Sequence, residues 1–398
     1  MELLIVLLAV VGLAVFWWAR RSASARPPSR AAAPVRRTVP PPVPPAARPV
    51  TVPAEPGGPI PAIAAILEAG ARSELDEAVL PELLQDFTLL TVDDLEPQRR
   101  NELVGQLSTV ALPPRSAQQL MSPDFLADAD TRKFTELVTH EPLLSGKVIG
   151  RVNSAFYGLS SPIVSVSHAV TYLGLNAVRN MALQFTLEQA FASDDPELQA
   201  FHARLFDAGT IAAELCALLG PKLGVRDVGA ASTQTVLTFL GDFAMPSLLP
   251  PRVAIDQWPL GLLDRTANEQ FTLGTNAAVI GALLMAEWGL PPAISDDVRD
   301  INRLLVTPAE GEMTPRKTRL ALSYTCARIA EGIALGRIRD AGQIDPTNDA
   351  QVEFFHLRSY LAIPPLVRLP NLLAETGVRL AIARMIAASQ RSREEAAS

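Results

Sequence analysis

Histidine and cysteine are scarce: the chain of 398 residues holds four of the one and two of the other. Two cysteines, Cys216 and Cys326, cannot make a disulfide framework. They suit a reducing compartment and read as small buried hydrophobes. The histidines His140, His168, His202 and His356 leave little imidazole for a metal centre, and none is followed by Asp. Phosphate-cradling glycine loops are missing too. No Gly-rich run leads into Lys-Ser or Lys-Thr, and no GxGxxG follows a strand-like segment, which excludes nucleotide hydrolysis by a P-loop mechanism. Positive charge is scarce where a nucleic acid would need it. The net charge of −7 conceals +5 in residues 1–61 and −12 beyond them, and an acidic body does not hold a polyphosphate, so no nucleic-acid partner is expected.

What the chain does have begins at its N-terminus. The unbroken apolar run Leu3–Ala19 would span about 26 Å as a helix, enough for a bilayer. Trp17-Trp18 suit an interface, and Arg20-Arg21 follow at once. A cleaved signal peptide carries positive charge before its apolar run, whereas only Met1 and Glu2 precede this one. Residues 1–21 therefore read as an uncleaved transmembrane helix, with the C-terminal bulk in the cytoplasm. Residues 22–61 hold thirteen prolines and five arginines against one acid, without helical periodicity, and read as an extended linker. Its Pro40–Pro45 run reads as a spacer rather than a docking motif. From 62 to 111 the apolar spacing is helical: Ile63, Ile66 and Leu67, then Leu80, Leu83, Leu84 and Phe87, then Leu103, Leu107 and Val110.

The densest pattern lies in His140–Ala190, where three helices are expected in quick succession. Pro142 suits a first helical position, and Leu144, Val148 and Val152 recur every four residues behind it. Ser145, Gly146 and Gly150 between them would allow a neighbouring helix to approach closely. Asn153-Ser154 and Gly158 break the pattern into a turn, with Asn and Ser placed to satisfy orphan backbone groups. A short helix then ends at Gly174, expected in the left-handed conformation, and Asn176 is expected to cap a third helix carrying Val178, Met181, Phe185 and Leu187.

Several of these residues form a recognisable set. Leu112-Pro113-Pro114, Glu141-Pro142-Leu143-Leu144, Asn153-Ser154-Ala155-Phe156-Tyr157-Gly158 and Ala169-Val170 with Leu173-Gly174 together resemble the HDOD domain. That family is a bacterial regulatory relative of the HD-type metal-dependent phosphohydrolases. Glu141 stands where the family usually has Asp. The resemblance implies an all-α, HD-like helical bundle over residues 112–305, with helical extensions at 62–111 and 306–398. Helices are expected at Asn276–Trp288, Thr318–Leu335, Val352–Leu361 and Leu372–Ala388, and residues 389–398 are expected to fray.

The resemblance also locates where metal chemistry would sit. Val236-Leu237-Thr238-Phe239-Leu240-Gly241 stands where Leu-Leu-His-Asp-Ile-Gly is expected, so Thr238 and Phe239 occupy ligand positions. Ala277 replaces a further His, and a His pair expected near Arg299-Asp300-Ile301-Asn302 is missing. No metal, no cofactor and no catalytic residue is therefore expected. His202 reads as a partly buried histidine with a hydrogen bond, and His168 as a packing or capping residue without an orienting acid. Tyr157 and Phe156 read as core or groove-lining aromatics. The implied function is regulation through protein contacts, at a bacterial inner membrane, by a single-pass protein with an unknown protein partner. Glu141, Pro142, Asn153, Ser154, Tyr157, Gly158 and Gly174 are the candidate partner surface. Two alternatives stand: a sensor binding a nucleotide second messenger in the relic pocket, and a phosphohydrolase with a relocated metal site.

Overall fold

The computed structural model describes residues 80–108, 110, 131–154, 157, 159, 161–348 and 351–397. The apolar run, the proline linker, residues 62–79, the Leu112-Pro113-Pro114 motif and Gly158 lie outside the described residues. Among the described residues every regular element is a helix, and none is long and apolar enough to cross a membrane.

The α-helices in chain order are α1 (Glu82–Gln85), α2 (Pro97–Leu107), α3 (Thr131–Thr139), α4 (Pro142–Val152), α5 (Val166–Leu173), α6 (Leu175–Ala190), α7 (Pro196–Leu219), α8 (Val228–Leu237), α9 (Leu240–Ala244), α10 (Pro251–Gln257), α11 (Leu262–Leu273), α12 (Ala277–Glu287), α13 (Pro292–Arg303), α14 (Pro315–Ala334), α15 (Leu357–Leu361), α16 (Leu369–Ala374) and α17 (Thr376–Ala397). Proline sits in the first turn of α2, α4, α7, α10, α13 and α14, where its missing N–H leaves no bond unmade.

Two hydrophobic cores organise these helices. The smaller joins Phe134 and Val138 of α3 to Leu144, Val148 and Val152 of α4, to Val166, Ala169 and Val170 of α5, and to Val178, Met181 and Ala182 of α6. The stripe spaced by four in α4 is thus its buried face. Gly146 and Gly150 are on the other side: both are exposed, and a Cβ on either would meet nothing within 4 Å. The close approach expected at those glycines does not occur. It occurs instead between α9 and α12, where a Cβ on Gly241 would lie 1.7 Å from the Ala277 carbonyl oxygen.

The larger core runs from Leu84 to Ile386 around α7 and α14. From Leu320 to Ala334 every residue of α14 is buried, as for a helix enclosed on all sides. The C-terminal region is therefore part of the central packing and not an appendage. Residues 80–107 pack on the same body: Gln270 accepts from Leu90 N at 2.9 Å and donates to the Thr88 carbonyl at 2.9 Å, while Arg99 Nη2 reaches the Leu273 carbonyl at 2.8 Å.

The expected C-terminal fraying stops short. Helix α17 continues to Ala397 because Arg393 Nη1 bonds the Ile333 and Ala334 carbonyls at 2.7 and 3.0 Å, capping the end of α14. The expected Val352–Leu361 helix is a 3₁₀ turn at Val352–Phe354 followed by α15, and the Leu372–Ala388 stretch is divided between α16 and α17.

Candidate functional site

The motif turn after α4 is fixed by a single carboxamide. Asn153 Nδ2 donates to the Ile149 carbonyl at 2.9 Å and to the Ile163 carbonyl at 2.7 Å, and its Oδ1 accepts from Ile163 N at 2.8 Å. The structural role expected of Asn153 is met. Ser154 differs: its hydroxyl is buried and finds no hydrogen-bond partner among the described residues. Glu141 and Pro142 are exposed at the start of α4, and the Glu141 side chain makes no capping bond. Gly174 has a positive φ of 87° but ψ of 154°, which is not the left-handed helical region. It serves as both the end of α5 and the N-cap of α6. Asn176 is accordingly not the cap but lies in the first turn of α6.

Tyr157 reaches across from the motif turn to α7, where its hydroxyl donates to Glu214 Oε1 at 3.0 Å. Burial raises the Tyr157 hydroxyl above its ordinary range, and the Glu214 charge adds to the rise. His168 is exposed. Its backbone N–H is capped by the Ser165 hydroxyl, so the serine and not the histidine does the capping. His202 is buried among Phe191, Phe201 and Phe243, with Nε2 3.2 Å from the Phe243 carbonyl. Burial pushes its pKa down to about 4, so it is the neutral, hydrogen-bonded histidine expected.

The positions that would carry metal ligands do converge, in part. Thr238, Ala277 and Asn302, drawn from three separate segments, line one cavity between α9, α11, α12 and α13. Phe239 does not join them; it points into the large core and is fully buried. The cavity is small, about 20 Å³, and its wall also includes Asp242, Arg265 and Arg328.

Those last residues belong to a buried ionic cluster invisible in the motif comparison. Arg265 is 3% exposed and stands among three carboxylates. Its Nη1 is 3.0 Å from Glu331 Oε1, its Nε 3.4 Å from Asp242 Oδ1 and 3.9 Å from Glu269 Oε1. Nη1 also donates to the Trp258 carbonyl at 3.0 Å. Glu331 receives Arg328 at 2.5 Å and Arg337 at 3.2 Å. Glu269 turns its Oε2 to Ala277 N at 2.8 Å, which ties the cluster to the start of α12.

The carboxylates divide by environment. Burial opposes ionisation of Glu331, but Arg265 and Arg328 overcome it and hold its pKa at about 2. For Glu269 burial dominates over the pull of Arg265, and the neighbouring Asp242 charge adds to it, raising the pKa to about 7; Asp242 is raised for the same first reason. Burial opposes the Arg265 charge, yet Glu331, Asp242 and Glu269 outweigh it and raise the guanidinium above its ordinary range. The cluster therefore holds one guanidinium inside a ring of carboxylates, next to the positions where a cation's ligands would be.

A pH experiment follows from Glu269. Its folded pKa lies above its unfolded value of 4.5, so the folded state binds the extra proton and the stabilisation is complete below 4.5. It is lost as the pH rises through about 7. Relative to a Glu269→Gln variant, the wild type is expected to lose up to about 3 kcal/mol of stability across that window. Urea unfolding of both proteins at pH 4.5, 6 and 8 checks it, and parallel curves would show that Glu269 does not titrate there.

Against known proteins, residues 110–304 match the HDOD domain model. This is an HDOD-domain protein. The HDOD segment contains α3 to α13 and most of the relic cavity's lining, whereas Leu89 precedes it and Leu305, Arg328 and Glu331 lie beyond it. Solved structures similar to this chain include an HDOD domain protein with unknown function from Geobacter sulfurreducens. It is 16% identical, covers 76% of this chain and 98% of its own, and has a TM-score of 0.49. A candidate phosphohydrolase from Shewanella amazonensis SB2B is 20% identical, over 71% of this chain and 97% of its own, with a TM-score of 0.46. A candidate signal transduction protein from Marinobacter aquaeolei VT8 is 19% identical, over 81% of this chain and 68% of its own, with a TM-score of 0.44. No curated protein matches the chain.

Proposed function

We propose that this HDOD protein is a non-catalytic regulatory component of bacterial signal transduction. It acts through protein contacts, held at the inner membrane by residues 1–21 with its bulk in the cytoplasm. The observation that carries the non-catalytic reading is the filling of the relic site. Metal-assisted hydrolysis needs converging ligands and an open position for water. Here Thr238, Ala277 and Asn302 surround about 20 Å³, and the Arg265 guanidinium already neutralises the carboxylates beside them. Among the described residues no three His, Cys, Asp or Glu side chains are grouped to hold a metal ion. A cavity of that size, with room for about one water, also argues against a nucleotide lodged at Thr238.

The protein-contact reading draws on the exposed face of the motif helices. Leu143, Val164 and Tyr172 of the motif segment are 62%, 78% and 57% exposed, and Glu141 and Pro142 are exposed as well. The test is made on the full chain. Metal content and turnover of phosphomonoesters and cyclic dinucleotides with Mn²⁺, Fe²⁺ and Mg²⁺ are measured beside an Asp242→Asn variant. Neither bound metal nor turnover is expected. A stoichiometric metal with turnover that Asp242→Asn abolishes would replace the regulatory reading with a hydrolase. Crosslinking in membranes then compares the wild type with a Leu143→Arg, Tyr172→Ala variant. The expected result is a membrane-bound partner lost in the variant, and a soluble chain with unchanged contacts would count against both anchor and surface.

A further inference from the structure

A second cavity of about 220 Å³ lies between the motif turn and the large core, and shares no residue with the relic metal position. Two helical stripes make its walls. Ala177, Asn180, Met181 and Gln184 recur at i, i+3, i+4 and i+7 along α6, and Thr210, Ala213, Glu214 and Ala217 repeat that spacing along α7. Val228 and Ser232, one turn apart on α8, add a third wall, and Tyr157 reaches in from the motif turn. Met181, Ala213 and Ser232 are buried at its floor, whereas Asn176, Ala217 and Pro221 are exposed at its mouth. Stripes on packed helices ordinarily interdigitate and leave few gaps larger than a water. Here Ala177, Ala213 and Ala217 end at Cβ, so the space between α6 and α7 stays open.

The buried polar side chains around it are bonded inside the protein. The Thr210 hydroxyl is 2.9 Å from the Phe206 carbonyl and 2.5 Å from Gln184 Oε1. Asn180 meets the Thr233 hydroxyl at 3.1 Å, and the Ser232 hydroxyl reaches the Ala213 carbonyl at 3.3 Å. Tyr157 donates to Glu214 Oε1, and the other Glu214 oxygen is withdrawn from the cavity surface, so it offers a ligand neither an acceptor nor a counter-charge. A water inside needs two to four polar partners and meets groups that are already engaged. What the cavity presents is apolar: Ala177, Met181, Ala213, Ala217, Pro221 and Val228.

That lining selects the occupant. No Lys, Arg or His lines the cavity among the described residues, so an anion finds no cation there. An ammonium finds no carboxylate within reach, so the occupant is uncharged. An apolar cavity of roughly 150 Å³ holds benzene, so this one has room for one ring or two fused rings. A ring is favoured over a flexible chain of equal volume, because it loses less freedom on binding and because the Met181 sulfur attracts an aromatic edge. We propose that this cleft binds an uncharged aromatic molecule of one or two fused rings. Tyr157 belongs both to its wall and to the candidate partner surface, so an occupied cleft touches the turn that this surface includes. The assignment does not rest on the regulatory reading, and the failure of either leaves the other standing.

The experiment is methyl NMR on the full chain carrying ¹³C-methyl methionine, with the Met181 resonance assigned by Met181→Leu. Toluene and naphthalene are the probes. Benzoate and benzylammonium carry a charge on the same ring, uracil is a polar ring of similar size, and hexan-1-ol is an apolar chain. The expected result is a saturable ring-current shift of the Met181 methyl with toluene or naphthalene, with the other four compounds binding at least tenfold more weakly. Ala177→Leu and Ala217→Trp fill the cleft from opposite walls. Each, once circular dichroism shows it folded, is expected to weaken binding at least tenfold, and it also gives the baseline for partitioning into detergent. No saturable shift at Met181 would overturn the proposal. So would uracil, a charged ring or hexan-1-ol binding as tightly as the probes, or binding that survives in a folded variant.

Discussion

Replacing Glu331 with Gln is expected to cost about 3–5 kcal/mol of folding free energy, because it leaves buried positive charge without its counter-ion. Glu331 is 1% exposed and takes bonds from Arg265, Arg328 and Arg337. Arg265 and Arg328 are themselves buried, so neither can turn to water without opening the junction of α11 and α14. The glutamine oxygen can still accept a hydrogen bond, but it does not offset two guanidinium charges in a medium of low dielectric. Urea unfolding by circular dichroism at pH 7 reads the loss as a fall in midpoint at unchanged slope. A shift below about 1 kcal/mol would show that the cluster behaves as an exposed ion pair. A second signature separates electrostatics from packing. With Glu331 uncharged, Arg265 turns its full field on Glu269, whose pKa should fall from about 7, and the pH dependence assigned to Glu269 should shrink with it.

Gly241→Ala is the other large effect, and it acts through sterics alone. The added Cβ would sit 1.7 Å from the Ala277 carbonyl oxygen, 2.5 Å from its carbonyl carbon and 2.9 Å from its Cα. All three are backbone atoms, so no side chain can rotate away. Helices α9 and α12 have to separate, and Gly281 faces the same contact, its own Cβ position 3.1 Å from Gly241 N. Overpacking a core ordinarily costs about 1–3 kcal/mol through side-chain adjustment; a backbone clash of this depth is expected to reach or exceed the top of that range. Gly146→Ala is the control. That glycine is mid-helix and exposed, with nothing within 4 Å of a Cβ, and Ala there should be neutral or stabilising by about 0.5–1 kcal/mol. Thermal melts of the two variants should therefore move in opposite directions, and equal shifts would remove the close approach of α9 and α12 as their cause.

The contrast between those glycines shows what the sequence by itself determined. The period of four in Leu144, Val148 and Val152, the first-turn prolines and the bond from Asn153 back to the Ile149 carbonyl determine local structure, because each acts within one turn of its own helix. Asn276 belongs here too: its side chain accepts from Val279 N at 3.0 Å and caps α12 one residue from the expected start. Of the positions that the resemblance assigned to lost ligands, Thr238 and Ala277 line one cavity with Asn302 of the 299–302 segment, while Phe239 does not. The tertiary structure alone decided which glycines carry a helix crossing, because periodicity marks the small residues and not the neighbour. It alone placed Phe239 in the core while Thr238 lines the cavity, a choice set by the turn between α8 and α9. It alone assembled Arg265, Asp242, Glu269 and Glu331 from α9, α11 and α14, since side chains that are distant in sequence reveal their pairing only once the helices pack. The tie between Tyr157 and Glu214, 57 residues apart, was hidden for the same reason: a hydrogen bond leaves no mark on the spacing of the residues that make it.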